Sequence, residues 1–213
     1  MTRTKTLLAL AFLLAPAAAS AQGYYGGGGG GYYSSPQSNL PGGFHNRQGH
    51  LIFGGSIGLG VMKENGESVE CVNCDYSPIA VSGSLHLGGF ISPRLALMGE
   101  IQGNVQTLEV DAYGDTYSLV QSALLAAAQY WLTPQLWIKG GVGLANLRVD
   151  HSYYGTVDEV PETGLALLGG IGYELMSAPR FSVDVQGRII SGTYDSVDDH
   201  VTSGTIGIGV NWF

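Results

Sequence analysis

Phe90-Ile-Ser-Pro-Arg-Leu-Ala-Leu97 joins two apolar runs through a Ser-Pro turn, and the arrangement returns twice, as Trp131-Leu-Thr-Pro-Gln-Leu-Trp-Ile138 and as Leu175-Met-Ser-Ala-Pro-Arg-Phe-Ser-Val183. Proline holds φ where the first central position of a type I or II turn needs it, and a Ser or Thr hydroxyl nearby can close the turn. Each stretch therefore reads as a hairpin tip. Between successive tips, marked by Pro93, Pro134 and Pro179, the chain is long enough for two extended strands and one longer loop.

Outward from these tips the hydrophobicity alternates with period 2, the strand signal. Leu51, Phe53, Ile57, Leu59 and Val61 share one face while Gly54, Ser56, Gly58 and Gly60 take the other. Seven further segments repeat the scheme. Ile79, Val81, Leu85, Leu87 and Ile91 oppose Ser82, Ser84, His86 and Gly88; Leu95, Leu97, Ile101 and Val105 oppose Glu100, Gln102, Asn104 and Gln106. The Ala-rich segment 117–132 sets Val120, Leu124, Tyr130 and Leu132 against Gln121, Gln129 and Trp131, and the next sets Ile138, Val142 and Leu144 against Lys139, Gly141 and Gly143. In the last three, Leu165, Ile171 and Tyr173 face away from Glu174, Phe181 and Ile189 from Asp184 and Arg188, and Ile206, Ile208 and Trp212 from Thr205 and Asn211.

Eight strands with one apolar face and one small or polar face, joined alternately by tight turns and longer loops, are what a small transmembrane barrel requires. In lipid an antiparallel sheet satisfies its backbone only by closing on itself. The expected fold is all-β: an eight-stranded antiparallel up-and-down transmembrane β-barrel over residues 48–213. No later stretch is apolar and long enough for a membrane-spanning helix. Acidic residues crowd the four longer loops, among them Glu64, Glu67, Asp75, Glu109, Asp115, Asp158, Glu159, Asp195 and Asp199, whereas Arg94 and Arg180 sit at the short turns. Since long loops of such barrels face outward, the acidic crown is expected to be extracellular and the turns periplasmic. Tyr130, Trp131, Tyr173, Phe181, Trp212 and Phe213 gather near the turn end and are read as an interfacial aromatic girdle.

The N-terminal residues 1–21 carry Arg3 and Lys5, an apolar run and an Ala19-Ser20-Ala21 cleavage pattern, the marks of an export signal. Residues 22–47 are rich in Gly, Tyr and Ser, too poor in buriable surface to offset their ordering entropy, and are read as a disordered periplasmic tail. Hydrophobic residues make up 45% of the chain and charged ones only 12%, which suits an exported membrane protein better than a soluble domain. A formal net charge of −8 excludes nucleic acid as a partner, because phosphate contacts demand a basic surface.

With these features the chain resembles the small outer-membrane barrels of the OmpA transmembrane-domain type. The resemblance rests on the export signal, the eight alternating segments, the Ser/Thr-Pro turns and the final Phe213. It implies an outer-membrane location in a Gram-negative envelope, contact with outer-membrane lipid and lipopolysaccharide, and recognition of the last strand by the barrel-assembly machinery. One feature departs from the pattern: Trp212 is in phase with the outward residues and Phe213 is not.

Glu100, Lys139, Glu174, Asp184 and Arg188, with His86 near them, face inward. Ionised groups in a narrow interior must find partners, so they are expected to form a salt-bridge network that plugs the barrel. The same network in OmpA-type barrels can be gated into a narrow pore, which keeps a channel for ions or small solutes open as an alternative. Ser84, His86 and Glu100 are the residue types of a hydrolase triad, as in lipid-modifying outer-membrane enzymes, yet all three face inward, away from an acyl chain. Cys71 and Cys74 share the first exterior loop and are expected to pair as a disulfide, with a metal shared with loop carboxylates as the alternative. No catalytic residues and no cofactor are expected, and the protein is expected to be a monomer with a structural or surface-interaction role.

Overall fold

The computed structural model describes residues 43–69, 79–110, 116–152, 162–194 and 200–213. Eight long strands form one sheet: β1 (Leu51–Glu64), β2 (Ala80–Ser92), β3 (Leu95–Val110), β4 (Thr116–Trp131), β5 (Leu136–Ser152), β6 (Glu162–Ser177), β7 (Phe181–Tyr194) and β8 (His200–Trp212). Every strand pairs antiparallel with its neighbours in sequence. The sheet closes where β1 meets β8, in register from Phe53 opposite Trp212 to Glu64 opposite Val201. A two-residue strand, Glu67–Ser68, folds back on the end of β1 through Asn65 and Gly66, both at positive φ as a tight hairpin turn of the I′ kind demands.

The three Pro tips are turns, held by the groups the sequence provides. Thr133 Oγ1 accepts from the amides of Gln135 and Leu136 at 3.3 and 2.9 Å, and Ser92 Oγ accepts from the Arg94 amide at 3.3 Å. At the third tip the Ala178 amide donates to the Phe181 carbonyl at 2.9 Å. Register shifts between Phe90 and Ser92 and between Glu174 and Met176 place bulges just before two of these turns.

Alternation sorts the side chains as the pattern implies. Ile57, Leu85 and Ile206 are about 70% exposed on the outer wall, and the apolar series of the other strands is exposed in weaker degree, except that Val120 of β4, expected on that face, is buried. An unbroken apolar surface of that kind would aggregate in water; in lipid it is the correct solvent. A strand of 16 residues such as β3, tilted by ~40°, rises roughly 40 Å against an apolar band of ~25 Å, so the hairpins project beyond the membrane on the loop side. Inward-facing glycines make room for the larger interior groups. Gly172 lies under the Trp137 indole and Gly192 under the Tyr194 ring, and a Cβ at either position would collide with the ring.

Residues 43–47, which the composition assigns to the tail, lie with residues 48–50 beneath the turn end. Gln48 and Gly49 make a turn closed by the His50 amide donating to the Arg47 carbonyl at 3.0 Å. Gly49 has φ +79, the left-handed conformation that a type II turn requires at that place. The reversal brings the preceding residues back under the mouth of the barrel, and Phe44 and Arg47 become buried. The ordered unit thus begins before residue 48, because the turn lets two bulky side chains bury what composition alone leaves to solvent.

Candidate functional site

The barrel interior is the concentration of chemistry in the molecule, and it is arranged in three levels. At the turn end Arg47 makes a bidentate ion pair with Glu174 on β6, 3.0 and 3.1 Å, and a further hydrogen bond to Ser177 at 3.3 Å. Trp131 donates its indole N–H to the same Glu174 carboxylate at 2.7 Å. The guanidinium lies 3.8 Å over the Phe213 ring and 5.5 Å over Trp131, while Phe90 touches both rings at centroid distances of 5.6 and 5.1 Å. Arg47 has the planar fork this site needs: its donors saturate a carboxylate in one plane and its face stacks on aromatics.

In the middle level Glu100 on β3 stands between two cations. Lys139 on β5 approaches to 3.1 Å, and Arg188 on β7 forms the second ion pair. Arg188 also donates to Ser84 at 2.6 Å and Ser56 at 3.0 Å, and the two hydroxyls bond one another at 2.7 Å. Asp184 accepts from the Asn211 amide at 2.8 Å, and Asn211 also donates to Ser182. The Lys139 ammonium sits 5.4 Å above the Trp137 ring. His86 is buried opposite Gly54 of β1 and Glu100 of β3, and takes no part in the three ion pairs.

Toward the loops the buried polar side chains are neutral. Gln102, Asn104, Ser203, Gln121 and Tyr194 run as a chain of hydrogen bonds from β3 across to β8, β4 and β7, with lengths of 2.8 to 3.3 Å. Gln106 spans the mouth from the Met62 amide to the Val69 carbonyl. Ala123, Leu125, Ala127 and Leu168 are buried in the interior among these polar groups.

Two solved structures share this architecture. The attachment invasion locus protein Ail of Yersinia pestis is 15% identical over 76% of this chain and 97% of its own, with a TM-score of 0.52. Neisserial surface protein A is 18% identical over 76% of this chain and 95% of its own, with a TM-score of 0.50. The chain has the fold of the small outer-membrane barrels. Neither a protein-family model nor a curated protein matches the sequence, so the likeness is one of fold.

All six residues singled out for the barrel interior, His86, Glu100, Lys139, Glu174, Asp184 and Arg188, are inward and buried. The partnerships are finer than their pattern implies: Glu100 draws two cations, while Glu174 is paired with Arg47, a residue the composition places in the tail. Ser84 and His86 do not form a catalytic pair, since the Ser84 hydroxyl is bonded to Arg188 and Ser56. Tyr130, Tyr173, Phe181 and Trp212 lie on the outer wall, where Trp212 stacks on Phe53 at 5.3 Å and Tyr173 bonds Gln135 at 2.7 Å.

Two members of the expected girdle are elsewhere. Trp131 is 2% exposed and points inward, because it shares the phase of Gln129 and its N–H has a buried acceptor. Phe213, out of phase with the lipid-facing series, turns under the barrel onto Arg47 and Phe90. Cys71 and Cys74 lie outside the described residues, as do most of the loop acids. Among the described residues no group of His, Cys, Asp and Glu is placed to hold a metal ion.

Proposed function

We propose that the protein is a closed outer-membrane barrel that serves as a structural and surface-interaction element, with acidic loops presented outside the cell and turns toward the periplasm. The observation that carries this reading is the filled interior. Three ion pairs, the Asp184–Asn211 bond and the amide and hydroxyl chain above them occupy the lumen from turn end to loop end. The loops then remain as the surface on which function can act. Their acidity disfavours a polyanion such as the heparin analogue with which Ail has been solved, and favours a cationic partner or divalent cations bridging to lipopolysaccharide phosphates. A paired Cys71–Cys74 would stiffen the first of these loops.

Catalysis is disfavoured by the inward parity and full engagement of Ser84. A narrow channel is the second reading, favoured by the continuity of polar groups along the lumen. Purified protein in planar bilayers separates the two. The closed reading expects a silent baseline, and reproducible conductance steps would overturn it. Expression in a heterologous outer membrane is expected to leave lipid A acylation unchanged.

A further inference from the structure

We propose that residues 43–50 are a latch that seals the periplasmic mouth of the barrel, with Arg47 as its bolt, and that release of the latch opens a cation-preferring path. This inference rests on the closed reading above.

The charge balance of the interior is the first argument. Among the described residues the buried cationic side chains are Arg47, Lys139 and Arg188, and the buried carboxyls are Glu100, Glu174 and Asp184. The set is matched only when Arg47 is counted, and Arg47 is the one member not carried by a barrel strand. Without it, Glu174 keeps a neutral indole donor but has no ionic partner, and carboxyls outnumber cations in the lumen. A buried charge that loses its partner is strongly disfavoured and is relieved by admitting water.

The construction of the segment is the second. It is attached to the barrel through the Gly49 turn and two backbone hydrogen bonds to Phe90, Gly49 N to Phe90 O and Phe90 N to His50 O, at 3.0 and 2.9 Å. Side chains add further holds, with Arg47 on Glu174, Ser177 and Phe213, and Phe44 beneath the Arg94 guanidinium at 3.8 Å. A rotation at Gly49 can withdraw the seal at the cost of a bond to the end of β2, with the strand ladders left in place. Aromatics and guanidinium stack at this end; higher up the lumen is closed by Lys139 and Arg188, whose long stems rotate, beside the buried Trp137 indole and the amide and hydroxyl chain.

The test is single-channel recording of the full-length protein, with folding verified by the mobility difference between boiled and unboiled samples. Arg47→Ala is expected to raise open probability about a hundredfold over the wild type, the population shift that loss of a buried charge pair implies, with cations preferred. Glu174→Gln releases the latch from the barrel side and is expected to raise open probability likewise, without the cation preference because it removes a lumen carboxyl, which covers the case that Arg47→Ala does not fold. In a chain also carrying Arg47→Ala, Phe44→Cys and Arg94→Cys, with Cys71 and Cys74 changed to serine, bridging the new thiols with a short bis-maleimide is expected to silence the conductance. A silent wild type with folded, silent Arg47→Ala and Glu174→Gln variants would overturn the latch and leave the closed reading intact. Equal steps from wild type and variants would overturn the closed reading itself.

Discussion

Glu100→Gln removes the charge that two buried cations share while preserving shape, and it tests whether the middle cluster holds the barrel together. The Glu100 side chain is fully buried, and those of Lys139 and Arg188 are 3% and 5% exposed. Breaking a buried pair by neutralising one partner costs about 3–5 kcal/mol, because the other charge is left uncompensated. Here two cations lose their partner. Arg188 retains the Ser84 and Ser56 hydroxyls, and Lys139 can still bond the glutamine oxygen, so the loss is set at about 3–5 kcal/mol rather than twice that. Removing one stranded cation as well, in Glu100→Gln with Lys139→Met, is expected to restore at least about 1.5 kcal/mol, since apolar replacement of a buried pair is often neutral. The assay is reversible urea unfolding in phospholipid vesicles, followed by gel mobility. A loss below about 1 kcal/mol for the single variant, or a double variant no more stable than the single, would show that the Glu100 cluster does not hold the barrel together.

Trp131→Phe deprives the buried Glu174 carboxylate of its indole donor and is expected to cost about 1.5–3 kcal/mol in the same titration, whereas Trp212→Phe on the outer wall stays within ~0.5 kcal/mol; equal costs would return Trp131 to the girdle. Ile57→Arg, at the most exposed apolar position of β1, is expected to destabilise the barrel by about 2–4 kcal/mol in vesicles, and tolerance of arginine there would contradict a lipid-facing wall. Gly49→Ala forces a side chain into left-handed backbone and is expected to weaken the turn by about 1–2 kcal/mol, seen as faster amide exchange at Phe90 with the strands unchanged. Peptide mapping without reduction is expected to recover Cys71 and Cys74 as a linked pair, and free thiols throughout would remove the disulfide.

Much of this was legible because a barrel wall obeys a period of 2 over long strands, interrupted only near their ends by bulges among the described residues. A lipid-facing position and a lumen-facing one differ in solvent, so Leu85 and His86, adjacent in sequence, could be assigned to opposite faces from composition alone. Which lumen groups meet was not legible. Glu100, Lys139 and Arg188 stand on β3, β5 and β7, which are not neighbours in the sheet, and their meeting follows from strand tilt and shear that no local pattern encodes. Trp131 shows phase prevailing over residue type: its alternation with Gln129 pointed inward, while its aromatic character suggested the interface. Arg47 was hidden by the Gly- and Ser-rich context before it. A signal did exist at the far end of the chain, where Phe213 breaks the outward phase, and the break is explained once Arg47 lies beneath it.

Closure of the sheet underlies the whole molecule, since an open sheet would neither face lipid nor enclose the polar interior. Hydrogen–deuterium exchange of the folded protein in lipid nanodiscs, resolved to peptides, tests it directly at the seam between Leu51–Glu64 and His200–Trp212. The twelve-residue register from Phe53–Trp212 to Glu64–Val201 predicts protection in both strands equal to that of β4 and β5 at the opposite wall. Rapid exchange confined to β1 and β8 would show free edges there and would contradict the closed barrel.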